Sequence, residues 1–334
     1  MKPVLHLAPL HGVTNRTFRE AYFRHFSGFD AALAPFILAV RTSQAKPTHF
    51  KDLVPRAEGG IPLVPQLLGN DPLAFVETAR VLAGEGYREI NLNLGCPYPM
   101  VANKQRGSGL LPYPERIAKI LDAACAETAF TVSVKLRLGR ADPDDILKVL
   151  PVLNDHPLDR VIIHPRIGTQ MYRGTVDLDG FACAAALCRH RVVYNGDITD
   201  TSSWETLRAR FPAIGEWMIG RRAISNPFLP EEIQAAAGFQ SSGGTVASGT
   251  ALPLGAAAAS PNDTESRLDR LQAFHDDLYA SYRAILCGPA HVLDKMKEIW
   301  SYLGASFPRG KRELERVARA KTLAEYEAAV GALF

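Results

Sequence analysis

The stretch EINLNLGCPYPM, residues 89–100, sets a strand-like run against a cysteine that is followed at once by proline. A cysteine that serves only as a small hydrophobe belongs inside an apolar run. Cys96 stands instead where a buried strand breaks off into a loop, between Gly95 and Pro97. Those two neighbours set sharp backbone geometry. The choice between inert filler and a reagent depends on what surrounds the strand.

Outward from Ile90–Leu94, short β-branched or apolar runs alternate with helix-length amphipathic segments through about residue 236. The expected strands are Val4–Ala8, Ala31–Phe36, Leu63–Leu67, Ile90–Leu94, Thr131–Leu136, Arg160–His164, Val192–Asn195 and Trp217–Ile219. Between them the spacing predicts helices over Asn15–Phe26, Pro72–Glu85, Pro114–Glu127, Asp142–Leu153, Leu178–Arg189, Thr201–Arg210 and Pro227–Ala237. Val40–Gly60 is polar and lacks a helical stripe. Strands that alternate with helices imply parallel βαβ units. Eight of them match an α/β fold of the (β/α)8 (TIM) barrel type. An open, doubly wound sheet is the competing architecture, but no GxGxxG follows the first strand.

Residues 238–266 are rich in Gly, Ser, Ala and Thr with almost no charge, the composition of a flexible linker. Residues 267–334 carry helical segments broken at Gly288-Pro289 and at Phe307-Pro308-Arg309-Gly310. The expected organisation is a catalytic barrel over 1–237, a linker over 238–266 and a helical domain over 267–334.

The chain has 334 residues, 47% of them hydrophobic, and carries a net charge of +3. Its five scattered cysteines show no metal-ligand spacing, so reduced thiols and a cytoplasmic enzyme are expected, with no metal. The opening MKPVLHLAPLHG is too short in apolar residues for a secretory signal, and no stretch approaches the roughly 20 apolar residues of a membrane span.

The strand exits concentrate chemistry. Strand one ends in Pro9-Leu10-His11, strand three in Gln66, and strand four in Asn93 and Cys96. Strand five ends in Lys135-Leu136-Arg137, strand six in His164-Pro165-Arg166, strand seven in Asn195-Gly196-Asp197 and strand eight in Gly220-Arg221. One such residue is weak evidence of a site, since a lone histidine is usually structural. Seven of the eight exits at one end of buried strands are hard to ascribe to solvation. Glycine-released backbone N–H groups after strands seven and eight form an anion site of the kind many barrels use for phosphate. Arg221 would add its planar fork. Lys135 and His164 would hold the electron-rich edge of the ligand's ring system. Cys125, Cys183 and Cys188 lie inside helical patterns and read as inert.

The stretches APLHGVTNRTFR (8–19), NLNLGCP (91–97), RGSGLL (106–111), VKLRLG (134–139), IHPR (163–166), YNGDI (194–198) and IGRRAISNPFL (219–229) resemble the tRNA-dihydrouridine synthases in order and spacing. HVLDKMKEIWSYL (291–303) resembles that family's C-terminal helical domain, closest to the branch that modifies position 16 of the D-loop. The resemblance implies a monomeric FMN barrel that uses NADPH to reduce uridines of tRNA, with no membrane or obligate protein partner. It makes Cys96 the proton donor to uracil C5. Pro9, Leu10, Gln66, Lys135, His164, Asn195, Gly196, Asp197, Gly220 and Arg221 would bind FMN, the last two at its phosphate. Asn93 would hydrogen-bond the uracil, with Arg166 near the base or an adjacent phosphate, and residues 98–109 would form a closing loop. The chain departs from the commoner pattern at His11 and at HPRIGTQMYRG.

Charge agrees with a nucleic-acid partner. Between His291 and Lys321 eight basic residues face four acidic ones, and basic residues gathered on one small domain are the footprint of phosphate contacts. Lys295, Lys311, Arg312 and Arg316 are the expected tRNA contacts there, joined by Lys104 and Arg106 in the cysteine loop. A second flavin barrel acting on a free metabolite, of the dihydroorotate dehydrogenase or ene-reductase type, leaves this basic domain without a role. A non-catalytic RNA-binding scaffold needs none of Cys96, Lys135, His164 and Arg221.

Overall fold

The computed structural model describes residues 2–54, 60–241 and 261–334. Ten parallel strands run in the order β1 (Val4–Leu7), β2 (Ala31–Leu33), β3 (Ile37–Leu38), β4 (Leu63–Val64), β5 (Gln66–Leu68), β6 (Glu89–Leu94), β7 (Thr131–Gly139), β8 (Leu158–Ile167), β9 (Arg191–Tyr194) and β10 (Glu216–Ile219). The helices are α1 (Arg16–His25), α2 (Pro47–Phe50), α3 (Pro72–Gly84), α4 (Pro99–Ala102), α5 (Pro114–Cys125), α6 (Asp145–Asn154), α7 (Leu178–Leu187), α8 (Thr201–Arg210), α9 (Arg221–Ser225), α10 (Leu229–Ser241), α11 (Pro261–Ile285), α12 (Pro289–Leu303), α13 (Lys311–Arg319) and α14 (Leu323–Val330).

A proline, which cannot donate to a ladder, splits the expected Leu63–Leu67, and another ends the expected Ala31–Phe36 early, with pairing resuming just beyond it at Ile37. Pro35 separates β2 from β3, and Pro65 separates β4 from β5. β2 pairs with β4 and β3 with β5, so the second and third staves meet along both halves. The ring then closes through β6, β7, β8, β9 and β10 back to β1, which pairs with β2. Eight parallel staves in a closed ring are the expected barrel, not an open sheet. Ala8, Leu33, Val64, Ile162, Val193 and Met218, drawn from staves around the ring, fill its interior. The polar Val40–Gly60 crossover holds only the four-residue α2 and a short 3-10 turn, as its lack of a helical stripe requires.

The barrel floor carries a buried ion network. Glu216 accepts from His6 at 2.8 Å and pairs with Arg160 and Arg191 at 3.2 Å each. Burial alone would raise the Glu216 carboxyl, but His6, Arg160 and Arg191 together hold it below the usual range.

The chain divides into two compact units. The barrel unit comprises Pro3–Arg16 and Phe29–Gly220, and the helical unit comprises Thr17–Gly28 and Arg221–Phe334. The division therefore falls earlier than residue 237, and it takes most of α1 with it. The reason is aromatic packing. Phe18 and Phe26 meet Phe274 edge-on with centroids 5.8 and 5.2 Å apart, and Tyr22 donates to the Pro227 carbonyl at 2.8 Å. Arg270 clamps Glu231 and the His25 carbonyl, each at 2.7 Å. Of the expected linker, 238–241 belong to α10 and 261–266 to α11, while 242–260 lie outside the described residues. Among the described residues no helix is long and apolar enough to cross a membrane.

Candidate active site

Side chains alternate across a strand, so residues two apart share a face. This groups Asn91 with Asn93 on β6, Ser133 with Lys135 and Arg137 on β7, and Ile162 with His164 and Arg166 on β8. Parallel register sets Asn91 beside Ser133, Asn93 beside Lys135, and Arg137 beside His164. The side-chain amides form a ladder of hydrogen bonds across β5, β6 and β7. Gln66 donates to Asn91 at 2.9 Å, Asn91 to Ser133 at 2.8 Å, and Asn93 to the Gln66 carbonyl at 2.7 Å. A buried polar network with its groups matched to one another is rigid. Asn93 tops this ladder, and its Oδ1 accepts from both Gly95 and Cys96 N–H at 2.9 Å. That turn bends the chain out of β6. Asn93, expected at the uracil, thus spends its carbonyl on the turn and keeps one amide hydrogen for other use.

The turn is held from outside as well. The carbonyls of Gly95, Cys96 and Pro97 are taken in succession by Arg137 Nε at 3.0 Å, by Ser108 N and Oγ at 3.0 and 2.9 Å, and by Arg140 Nη1 at 3.1 Å. Gly107 lies against Cys96 with φ +57°, and a Cβ there would approach the Cys96 Cβ to 2.8 Å. Cys96 itself is buried, and burial pushes its thiol up while the Tyr98 backbone N–H, then Arg137 and Arg140, pull more weakly downward. Of the expected closing loop, 107–109 are buried and bound in a 3-10 turn. The exposed part lies nearer its start, with Met100 at 78%.

Lys135 is half-buried, and its ammonium makes no hydrogen bond or ion pair among the described residues. Enclosure, followed by the neighbouring Arg137, pushes it down to about 7. A cation so placed suits an anionic or electron-rich partner. Burial likewise brings Arg137 down to about 10, with Tyr172 pulling the other way, so it stays protonated at neutral pH. The Arg137 guanidinium sits 5.3 Å from the Tyr172 ring centroid and donates to the Met171 and Ile167 carbonyls.

Arg166, expected at the base, is buried and forks onto Asp197 at 2.9 and 2.5 Å, with His164 Nε2 at 3.2 Å from its Nη1. Asp197, expected at the cofactor, faces that guanidinium. Asn195 donates to the Met218 carbonyl at 2.9 Å, which ties the exits of β9 and β10 together. The Gly196 and Gly220 amides donate to nothing among the described residues, as an anion site requires. Pro9 and Leu10 open a turn closed by Thr14, whose Oγ1 accepts from Leu10 N at 2.9 Å. Arg221 opens α9 in the helical unit.

Arg106 donates to Asn70, which in turn donates to the Lys104 carbonyl, so the loop bearing these two cations is anchored to β5's exit. In the helical unit Lys295 pairs with Glu298, whereas Lys311, Arg312 and Arg316 are exposed along α13 with no ion pair among the described residues.

Sequence reasoning passed over Ser108 and Arg140. Ser108 lay in the quoted RGSGLL without a role, and no local signal marked Arg140. Arg137 was visible two residues beyond Lys135, on the same strand face.

A closed parallel barrel whose C-terminal mouth gathers an amide ladder, a partnerless lysine and a shielded thiol has the build of a cofactor-dependent barrel enzyme. The family model described as dihydrouridine synthase (Dus) matches residues 6–247, and the chain belongs to that family. It is 31% identical to tRNA-dihydrouridine synthase B of Vibrio cholerae, over 70% of this chain and 72% of that one. It is 29% identical to tRNA-dihydrouridine(16) synthase of Cupriavidus necator, over 69% of this chain and 73% of that one. Among solved structures, the old yellow enzyme homologue from Zymomonas mobilis superposes with a TM-score of 0.51 at 13% identity, covering 72% of this chain and 89% of that one, which shows the shared fold.

Proposed function

We propose that this protein reduces the C5–C6 double bond of a D-loop uridine in tRNA to 5,6-dihydrouridine, with FMN as cofactor and NADPH as reductant. The observation that carries the reading is the shared face at the exits of β6, β7 and β8, where register sets Asn93 beside Lys135 and Arg137 beside His164, and Arg137 holds the Gly95 carbonyl of the Cys96 turn. The residues present fit FMN. Lys135 has no partner of its own, the amides of Gly196 and Gly220 are available to a phosphate, and Gln66 retains one amide hydrogen for a ring carbonyl. When bound, FMN supplies the hydride that reaches uracil C6.

Cys96 delivers the proton to C5 from the other face of the base. Its S–H bond breaks, a C5–H bond forms, and the thiolate left behind is reprotonated from solvent. A thiol raised by burial remains protonated at neutral pH and acts as an acid rather than a nucleophile. The Tyr98 backbone N–H, and then the Arg137 and Arg140 guanidinium groups, favour the thiolate once the proton has left. Extrusion of the base from folded RNA requires stacking and backbone contacts elsewhere. Lys311, Arg312 and Arg316 on α13, with Lys104 and Arg106, would supply the phosphate contacts.

The test is Cys96→Ala. It should retain FMN and oxidise NADPH, yet form no dihydrouridine in unmodified tRNA, and mapping the product of the wild-type enzyme should place the reduced base at position 16. Normal dihydrouridine formation by the variant would remove Cys96 from the proton-donor role.

A further inference from the structure

RGSGLL contributes no group to the chemistry above, yet it surrounds the thiol's backbone. Ser108 is fully buried and gives both its N–H and its hydroxyl to the Cys96 carbonyl. Its Oγ lies 3.4 Å from Arg140 Nη1, the same nitrogen that donates to the Pro97 carbonyl at 3.1 Å. Two side chains from different loops thus meet on consecutive carbonyls of one turn.

The surroundings leave the pair little room to move. A Cβ on Gly168 would fall 2.6 Å from Ser108 Oγ and 3.0 Å from Arg140 Nη1, and a Cβ on Gly109 would strike the Ala102 carbonyl. The Arg140 backbone is fixed on both sides, its N–H on Asp145 at 3.1 Å and its carbonyl on Thr169 N at 2.9 Å. The clamp therefore stands on the ends of β7 and β8 and not on the exposed part of the cysteine loop.

Resting on the proton-donor reading of Cys96, we infer that Arg140 and Ser108 are positioning residues that aim its thiol. Their carbonyl contacts fix the Cys96 backbone and so restrict the thiol to one direction, and the Gly107–Gly109 packing keeps it out of water. A donor that must meet C5 on one face of a planar ring loses rate steeply when displaced by about an ångström, of the order of a hundredfold.

The experiment uses the FMN-loaded full chain and two readouts that move in opposite directions. Arg140→Met should lower kcat for dihydrouridine formation about 10- to 100-fold. The tRNA KM and the rate of flavin reduction by NADPH should hold. In the same variant, the alkylation rate constant of Cys96 with iodoacetamide, read by peptide mass spectrometry at the alkaline plateau of each protein's pH–rate profile so that loss of the Arg140 charge does not change the thiolate fraction, should rise about tenfold as the thiol gains freedom. Arg140→Lys, which restores a donor and the charge, should recover most of both. Ser108→Ala, a smaller change, should shift both readouts the same way to a lesser degree, and it carries the test if Arg140→Met fails to fold. Alkylation and kcat within twofold of wild type in the folded variants would overturn the clamp. A fully active Cys96→Ala would instead overturn the proton-donor reading, which separates the two failures.

Discussion

Lys135→Met should make the flavin-free protein more stable while abolishing flavin binding. The lysine falls from an ordinary value of 10.5 to about 7 because enclosure in the barrel mouth, and then Arg137, disfavour its charge. Each tenfold change in that equilibrium corresponds to about 1.4 kcal/mol, so the charged lysine costs the fold at most about 5 kcal/mol. The side chain is only half-buried and solvent screens part of this, which brings the expected gain to about 2 kcal/mol. The sign of the pH dependence follows from the direction of the shift. The unfolded chain holds the lysine proton up to about 10.5 and the folded chain only up to about 7. The penalty is therefore complete below pH 7 and fades as pH rises toward 10.5, and the advantage of the methionine variant fades with it. Urea unfolding of flavin-stripped wild type and of the variant at pH 6, 8 and 10 reads the effect, and FMN fluorescence quenching reads the binding. A variant no more stable than wild type at pH 6, or one that still binds FMN, would refute the picture of a lysine held at a cost for its ligand.

Three further outcomes are expected. Glu216→Gln should lower stability by about 3 kcal/mol in thermal or urea unfolding, because His6, Arg160 and Arg191 lose the buried carboxylate that joins them. Since that carboxyl sits below its ordinary value, its contribution should be present at neutral pH and fade as acid protonates it. Gly107→Ala should cost about 3 kcal/mol, from a left-handed backbone and from a methyl pressed against Cys96, and should slow dihydrouridine formation. Replacing Lys311, Arg312 and Arg316 together with Gln should weaken tRNA binding and make its log–log salt slope shallower by about 2, with flavin content unchanged; an unaltered slope would take α13 out of the interface.

The barrel was legible because its strands and helices differ in period and alternate without a break. Thr201–Arg210 matches the expected helix to the residue, and most other elements differ only at their ends. Where the sequence misled, a proline or a distant partner was responsible. Pro35 and Pro65 split two staves, a loss of donors that the apolar pattern does not register. The compact helical unit also draws in Phe18, Tyr22 and Phe26, far upstream, because they pack with the C-terminal helices, a long-range contact that no local pattern registers.

The sequence by itself determined which residues are present at each strand exit, since alternation and apolar runs are local properties of the chain. Cys96 between Gly95 and Pro97, Lys135, His164 and the glycines after β9 and β10 were all visible there. Only the tertiary structure decided how those groups are spent. Asn93 turns inward to cap the Cys96 bend, Arg166 and Asp197 bind one another, and Ser108 and Arg140 converge on the cysteine's carbonyls. Apart from the local Asn93 cap, these bonds join residues 12 to 43 positions apart, and they depend on strand register and loop path, which are fixed by the closure of the whole ring rather than by any segment of it.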